Sequence, residues 1–102
     1  MTKNADKLVC IVYKIYLERQ KQGLSGSESV EVGTTGDMQK AHFKEWAEID
    51  IGDLCDELKE TGYLTKDILG NITLLPKGIE YMEGRFKRKI NQLLDYIEKI
   101  KP

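Results

Sequence analysis

The sequence predicts a small, mostly helical α+β fold, on two observations. First, apolar residues recur every three or four positions over residues 5–22, 49–63 and 76–100, which is the spacing of core-facing helices. Second, two β-rich runs between the last two of these segments are separated by Gly70-Asn71, a pair typical of hairpin turns. The chain has 102 residues, 40% of them hydrophobic, so we expect residues 1–102 to form one domain around a single core.

The first helix is expected over residues 5–22, with Asn4 as its N-cap and the glycine that follows as its stop. Residues 23–37 are rich in glycine and hydroxyl side chains. This composition predicts a flexible loop, with one short edge strand over residues 29–32. A short second helix is expected after Asp37.

Residues 49–63 carry helix signals at both ends. Asp50 is expected to cap the first turn, and Ile49 to pack on Leu54 as a hydrophobic staple. Gly62 is expected to end the helix in the left-handed conformation. The core-facing stripe of this third helix consists of Ile51, Leu54, Cys55 and Leu58.

The hairpin is expected to pair residues 64–69 with residues 72–75 through a two-residue type II′ turn at Gly70-Asn71. Pro76 then opens the last helical segment, because its missing N–H costs nothing at a first helical position. Run as one helix to the end of the chain, that segment would be about 38 Å long, more than a domain of this size can cover. We therefore expect a kink near Gly84, with residues 85–102 forming a C-terminal amphipathic helix.

We expect the core to combine apolar side chains from every predicted element. Its members are Leu8, Ile11, Val12, Ile15, Phe43, Trp46, Ile51, Leu54, Leu58, Leu64, Leu74 and Ile79.

Residues 48–83 resemble the winged-helix superfamily beyond the order of the elements. Residues 53–64 (DLCDELKETGYL) are similar to the end of a winged-helix third helix leading into the wing. Residues 72–82 (ITLLPKGIEYM) are similar to the end of the wing and the start of the final helix, which reads Leu-Thr-x-Lys-Gly in many small bacterial regulators. Leu75 stands where that pattern has threonine, so the usual hydroxyl cap is missing.

Among small members, the YjcQ-like proteins of bacilli and their phages share the Lys-Gly helix start, the interruption and the final amphipathic helix. The resemblance implies a winged-helix, helix-turn-helix type of fold and a regulator of bacterial or phage origin. Because winged helices serve both as DNA readers and as protein-docking modules, the resemblance leaves the function open.

Acidic residues are concentrated in the predicted third helix. Residues 48–61 hold six acidic residues and one basic residue, a charge of −5, whereas the whole chain carries −1. A DNA reader of this fold places that helix in the major groove, where these carboxylates would be repelled by phosphates. We expect instead a face that binds a basic protein partner, the alternative being a face that is simply solvated. The face consists of Asp53, Asp56, Glu57 and Glu60.

The hairpin tip, residues 68–72, contains no Arg or Lys that could reach DNA. Exposed apolar groups at such a tip suit contact with protein. The expected tip contacts are Ile68, Leu69 and Asn71.

Two features of the C-terminal segment suggest further contacts. Basic residues cluster at its start, at Arg85, Lys87, Arg88 and Lys89. They could contact phosphate, pair with an acidic partner, or form the polar side of an amphipathic helix. An apolar stripe then follows, at Ile90, Leu93, Leu94, Ile97 and Ile100. Either the first helix of the same chain or a second copy could cover this stripe, and we expect a homodimer.

The residues needed for catalysis are sparse. His42 is the sole histidine and has no second metal ligand at a suitable spacing. Cys10 and Cys55 are expected to be buried thiols in a reducing compartment. No glycine-rich phosphate loop, run of 18 apolar residues or signal-peptide core is present. We expect a cytoplasmic protein that is not an enzyme, without a cofactor, metal, small-molecule ligand or membrane partner.

These observations predict a non-enzymatic winged-helix binding module with a regulatory role, acting through protein contacts. The first alternative is a DNA-binding transcriptional regulator, which is the commonest use of the fold. The second alternative is a phage-type inhibitor that blocks a host DNA-binding protein with its acidic helix.

Overall fold

Helices account for most of the chain, in agreement with the predicted α+β class. The computed structural model describes residues 1–87 and 89–100. Its elements in chain order are α1 (Lys3–Lys21), α2 (Gly26–Ser29), β1 (Glu31–Thr34), α3 (Thr35–Ala41), α4 (Glu48–Thr61), β2 (Leu64–Lys66), β3 (Asn71–Leu74), α5 (Pro76–Phe86) and α6 (Ile90–Ile100). The strands form one antiparallel sheet in the order β1-β3-β2, and α1 contacts α4, α6 and the sheet. Within the described residues, no helix has the length and apolar character needed to cross a membrane.

Helix α1 is the central element of the core, because it is buried on a broad arc that includes Leu8, Val12 and Tyr13. Its N-cap is Thr2, whose hydroxyl accepts the N–H of Ala5 at 3.2 Å. The prediction that Asn4 caps this helix is therefore wrong. The predicted C-terminal stop is confirmed, since Gly23 follows the last turn with φ 91°.

The prediction of a loop over residues 23–37 is wrong for most of that segment. Ser25 and Glu28 form a capping box that begins α2, and Thr34 and Asp37 form a second one that begins α3. The expected edge strand is present as β1, two residues later than residues 29–32.

Helix α3 is displaced from the predicted second helix. Asp37 lies at its third position instead of preceding it, and the helix ends before Phe43 and Trp46. These two rings lie in the connection to α4 and stack with their centroids 4.3 Å apart.

Helix α4 starts earlier than expected and buries all of the predicted core stripe except Leu54, which is only partly buried. Its N-cap is Ala47, which makes no side-chain capping bond, and Asp50 lies inside the first turn. The predicted staple is wrong, because Ile49 is 73% exposed. The left-handed stop is confirmed, since Gly62 has φ 82° and Tyr63 N–H donates to the Leu58 carbonyl at 3.2 Å.

The hairpin is present, but its turn is longer than predicted. Strands β2 and β3 pair Leu64 with Leu74, and residues 67–70 connect them in place of a two-residue Gly-Asn turn. Asp67 closes this turn, because one of its carboxylate oxygens accepts the backbone N–H groups of Leu69 and Asn71. The positive φ expected of Gly70 is confirmed at 87°.

The C-terminal half contains a break that lies later than Gly84. Pro76 opens α5 as predicted, and Gly84 continues that helix without interruption. The helix ends at Phe86, and its C-cap is Lys87, a non-glycine residue with φ 51°. The C-terminal amphipathic helix therefore begins at Ile90 rather than at residue 85.

Most of the predicted core is buried, and four of its members are only partly buried. Those four are Ile15, Trp46, Leu54 and Ile79. Side chains that were not expected in the core but are fully buried include Tyr13, Met38, Ile72, Met82 and Leu93.

A polar cluster ties α1, α5 and α6 together. Asp6 accepts hydrogen bonds from the guanidinium of Arg85, one of them at 3.2 Å, and from the hydroxyl of Tyr96 at 2.6 Å. The Arg85 guanidinium also lies 4.4 Å from the centroid of the Tyr96 ring. The Arg85 guanidinium is thus paired with Asp6 within the fold.

Candidate functional site

Three large apolar side chains are strongly exposed beside one cleft. Ile49 on α4 is 73% exposed, and on the hairpin turn Ile68 is 100% and Leu69 is 80% exposed. The cleft between α4 and this turn has a volume of about 470 Å³. We call it the α4–hairpin cleft; it is lined by Thr35, Glu48, Ile49, Gly52, Asp53, Asp56, Lys66, Ile68, Leu69 and Gly70.

The start of α3 holds the hairpin turn and α4 in place. Thr35 N–H donates to the carbonyl of Gly70 at 3.0 Å, and the Thr35 hydroxyl donates to a carboxylate oxygen of Glu48 at 3.2 Å. A Cβ on Gly70 would lie 3.0 Å from that hydroxyl oxygen, so glycine allows this close approach. The two walls of the cleft are therefore fixed relative to each other by hydrogen bonds.

The structure divides the predicted acidic face. A helix turns about 100° per residue, so Ile49, Asp53, Asp56 and Glu60 lie on one side of α4. Glu57 is turned toward α1, where it accepts a hydrogen bond from the Thr2 hydroxyl at 3.1 Å. Asp56 pairs with Lys66 of the hairpin at 3.6 Å, whereas Asp53 and Glu60 form no ion pair within the described residues. The exposed apolar group of α4 thus lies among carboxylates.

A second cleft lies on the other side of α4. It has a volume of about 320 Å³ and is lined by Asn4, Trp46, Asp50, Asp53, Leu54 and Glu57. Phe43 covers one face of the Trp46 indole, which is half-buried. Asp53 lines both clefts, so the two form one surface across α4.

Of the predicted tip residues, Ile68 and Leu69 project from the surface, and the side chain of Asn71 does not. The Asn71 amide donates to the second carboxylate oxygen of Asp67 at 2.9 Å. This bond and the backbone N–H groups bound by Asp67 hold the pKa of Asp67 below its usual value. The turn is therefore closed from within by a charged side chain at neutral pH.

The predicted basic cluster does not act as one patch. Arg85 is held by Asp6, whereas Lys87 and Lys89 are exposed at the junction of α5 and α6. Arg88 lies outside the described residues. Only the two exposed lysines among the described members are available to an outside partner.

The predicted dimer stripe packs in part on α1 of the same chain. Leu93 and Ile97 are buried, and Ile90 and Ile100 are half-buried. Leu94 is 37% exposed. The interior of the stripe therefore has the intramolecular cover that the sequence left open as an alternative to a second copy.

Neither thiol nor the histidine forms part of a reactive cluster in the described structure. Burial raises the pKa of Cys10 to about 12 and that of Cys55 to about 11. Both are free, buried thiols, as predicted. His42 lies in a groove between α1 and α6, and burial lowers its pKa. Within residues 1–87 and 89–100, no group of three or more His, Cys, Asp and Glu residues could hold a metal ion.

The residues that sequence reasoning missed belong to the walls of the two clefts. The sequence predicts a staple at Ile49 and a core position at Trp46, and no motif in it marks Thr35 or Lys66. The sequence signal for Ile49 is its position outside the core stripe of α4.

Comparison of the chain with protein-family models, with curated proteins and with solved structures gives no match.

Proposed function

We propose that the chain is a non-enzymatic binding module of the winged-helix type, which acts in regulation by binding a protein at the α4–hairpin cleft. The observation that carries the proposal is the exposure of three large apolar side chains on both walls of one cleft. Large side chains rarely stay uncovered together on a monomer's surface unless they bind something. Protein interfaces have this composition, with apolar groups at the centre and charges at the rim.

The winged-helix assignment is supported by the order of the elements. Helix α1, the four-residue helix α2, the edge strand β1, helices α3 and α4, the hairpin, and helices α5 and α6 follow one another, and β1 pairs with the second strand of the hairpin. In such an arrangement α4 takes the place of the third helix, and residues 67–70 take the place of the wing tip. The candidate site then occupies the surface that DNA-reading members use.

The charge of this surface favours protein over DNA. Lys66 is the one basic residue among the lining of the α4–hairpin cleft, and it already pairs with Asp56. Nucleic-acid affinity comes mainly from cations that neutralise phosphates. Asp53 and Glu60 form no ion pair with another described residue, and a surface with such carboxylates repels a phosphate backbone and attracts a basic protein.

The proposal is tested by capturing a partner from native cells, identifying it, and measuring its affinity as a purified protein. Ile68→Ser with Leu69→Ser should weaken that affinity at least tenfold, because it removes the exposed apolar contacts. Both side chains are exposed, so circular dichroism and the urea midpoint should stay as in the wild type. A matched control is Leu94→Ser on α6, which should leave the affinity unchanged.

Charge reversal tests the acidic part of the surface. Asp53→Lys with Asp56→Lys should slow association and reduce the salt dependence of binding. A matched change at Asp95, on α6, should do neither. If the Asp53→Lys, Asp56→Lys variant binds the partner with wild-type affinity, the acidic face takes no part in binding and is simply solvated.

The DNA-binding alternative is tested by titrating the protein onto mixed duplex DNA at several salt concentrations. We expect no binding in the micromolar range at moderate salt. Micromolar binding with a steep salt dependence would overturn the proposed function and favour a DNA-binding regulator using Lys87 and Lys89.

A further inference from the structure

The α4–hairpin surface combines two kinds of recognition groups in a fixed arrangement. Its apolar groups lie on both walls, with Ile49 on the helix and Ile68 and Leu69 on the turn. Its carboxylates, Asp53 and Glu60, continue along the exposed side of α4. A partner that covers this surface must therefore offer an apolar stripe bordered by positive charge.

We infer that the partner segment bound here is a basic amphipathic helix, an inference that rests on the proposed function. A helix with apolar residues at positions i, i+3, i+4 and i+7 presents one stripe that can enter a cleft. Its flanking positions carry Lys or Arg toward the carboxylates of α4.

An added β-strand is a poorer fit to this fold. The two edges of the sheet are β1, with four residues, and β2, with three. A strand added at either edge would therefore pair with at most four residues of the sheet. A basic tail without apolar residues is also a poor fit, because it would leave Ile49, Ile68 and Leu69 in water.

The length of the acidic side sets the length of the partner helix. Ile49 and Glu60 are eleven residues apart on α4, which is about 16 Å at 1.5 Å per residue. Asp56 lies three positions after Asp53, and Glu60 lies four positions after Asp56. Cations at the same spacings on a partner helix lie on one side of that helix. A partner helix of about three turns is therefore long enough to pair with all of these carboxylates.

Trp46 gives this surface an internal reporter. It is the one tryptophan of the chain and lines the second cleft, next to Asp53. A helix that lies across α4 at Asp53 changes the surroundings of the indole. Its fluorescence should therefore respond to binding of a peptide that lacks tryptophan.

The experiment titrates the full chain with an 18-residue peptide of Leu and Lys, in which Leu occupies positions i, i+3, i+4 and i+7. Two further peptides serve as comparisons: one has the same composition in scrambled order, and the other has Glu in place of Lys. We expect the patterned Leu/Lys peptide to bind with a micromolar Kd by Trp46 fluorescence. Both comparison peptides should bind at least tenfold more weakly.

Variants of the chain locate the binding. Ile68→Ser with Leu69→Ser, and separately Asp53→Asn with Asp56→Asn, should each weaken the patterned peptide at least tenfold. The control Leu94→Ser with Asp95→Asn should bind it as the wild type does. Equal binding of the scrambled peptide, or equal weakening by the control variant, would overturn the inference.

The two proposals fail in different ways. If the purified native partner depends on Ile68 and Leu69 but the patterned peptide does not bind, the amphipathic-helix inference is wrong and the proposed function stands. If the native partner binds equally well without these side chains, the proposed function is wrong whatever the peptide does.

Discussion

Replacing Gly78 with alanine should destabilise the fold, although alanine is the better helix former. A Cβ at this position of α5 would lie 2.2 Å from the Tyr63 carbonyl oxygen and 3.0 Å from a methyl carbon of Leu74. Carbon and oxygen atoms in close contact normally lie about 3.3–3.6 Å apart. The backbone at Tyr63 or α5 must therefore move by about 1 Å to admit the methyl group.

The cost of that movement can be estimated from the contacts it disturbs. Inserting an atom into a packed site costs about 1–3 kcal/mol, and an overlap this large belongs at the upper end. The Tyr63 carbonyl also accepts the N–H of Leu75 at 3.0 Å, a bond worth about 1 kcal/mol. Alanine recovers about 0.5–1 kcal/mol of helix propensity. We expect a net loss of about 3 kcal/mol.

Gly84 provides the matched control, because it lies in the same helix with open space where its Cβ would be. Gly84→Ala should stabilise the protein by about 0.5–1 kcal/mol. Urea denaturation followed by circular dichroism measures both variants against the wild type. Equal stability of Gly78→Ala and Gly84→Ala would refute the close approach of α5 to the backbone of Tyr63.

Three further changes test the packing of the helices. Asp6→Asn should cost about 1.5–3 kcal/mol in urea melts at pH 7, because it weakens the bonds from Arg85 and Tyr96. Burial raises the pKa of Asp6, but the bonds from Arg85 and Tyr96 outweigh burial and hold the pKa below 3.8. The stability that these bonds contribute is therefore present above about pH 4 and is lost as the pH falls through the lowered pKa. If Asp6→Asn lowered the unfolding free energy equally at pH 7 and pH 2, this role of the Asp6 carboxylate would be contradicted. Leu54→Ala should cost about 1–2 kcal/mol, less than a fully buried leucine, because Leu54 is half-buried; a loss above about 3 kcal/mol would contradict that packing. Deleting residues 91–102 should lower the unfolding free energy, because the deletion uncovers α1. Sedimentation of the full chain at about 100 μM tests the predicted homodimer, and a monomer at that concentration would overturn it.

The elements that were predicted well depend on neighbours close in sequence. The apolar stripes of α1 and α4 follow helical periodicity, and the stop at Gly62 and the start at Pro76 need only backbone chemistry. None of these features requires knowledge of a distant contact. Their success is the reason why the fold class could be stated from the sequence.

The segment from residue 23 to residue 37 shows how composition can mislead. Its glycines suggested a loop, but Ser25 with Glu28 and Thr34 with Asp37 are capping pairs three residues apart. That spacing is visible in the sequence and outweighs the glycine content. The late break at Lys87 has no such signal, because its left-handed φ occurs at a lysine while Gly84 remains helical.

The candidate site was predicted only in pieces, because it is formed by tertiary structure. The acidic residues and the tip residues are predicted separately, and nothing in the sequence places Ile68 and Ile49 at the same cleft. The hydrogen bond from Thr35 N–H to the Gly70 carbonyl, which links the hairpin turn to the start of α3, joins residues far apart in the chain. Glu57 shows the opposite case. The sequence groups it with the acidic face, but its carboxylate accepts a hydrogen bond from the Thr2 hydroxyl.

Helix stability explains the presence of some acidic residues of α4 but not of others. Glu48 and Asp50 lie in the first turn, where negative charge interacts favourably with the helix dipole and compensates for an Ala47 N-cap that makes no side-chain bond. That effect fades within one turn, so it does not account for Asp53. Glu60 lies in the last turn, where the dipole makes a negative charge unfavourable. The carboxylates that continue along the exposed side beyond any benefit to the helix are the ones on which the proposed basic partner depends, and they share that side with Ile49, which is 73% exposed.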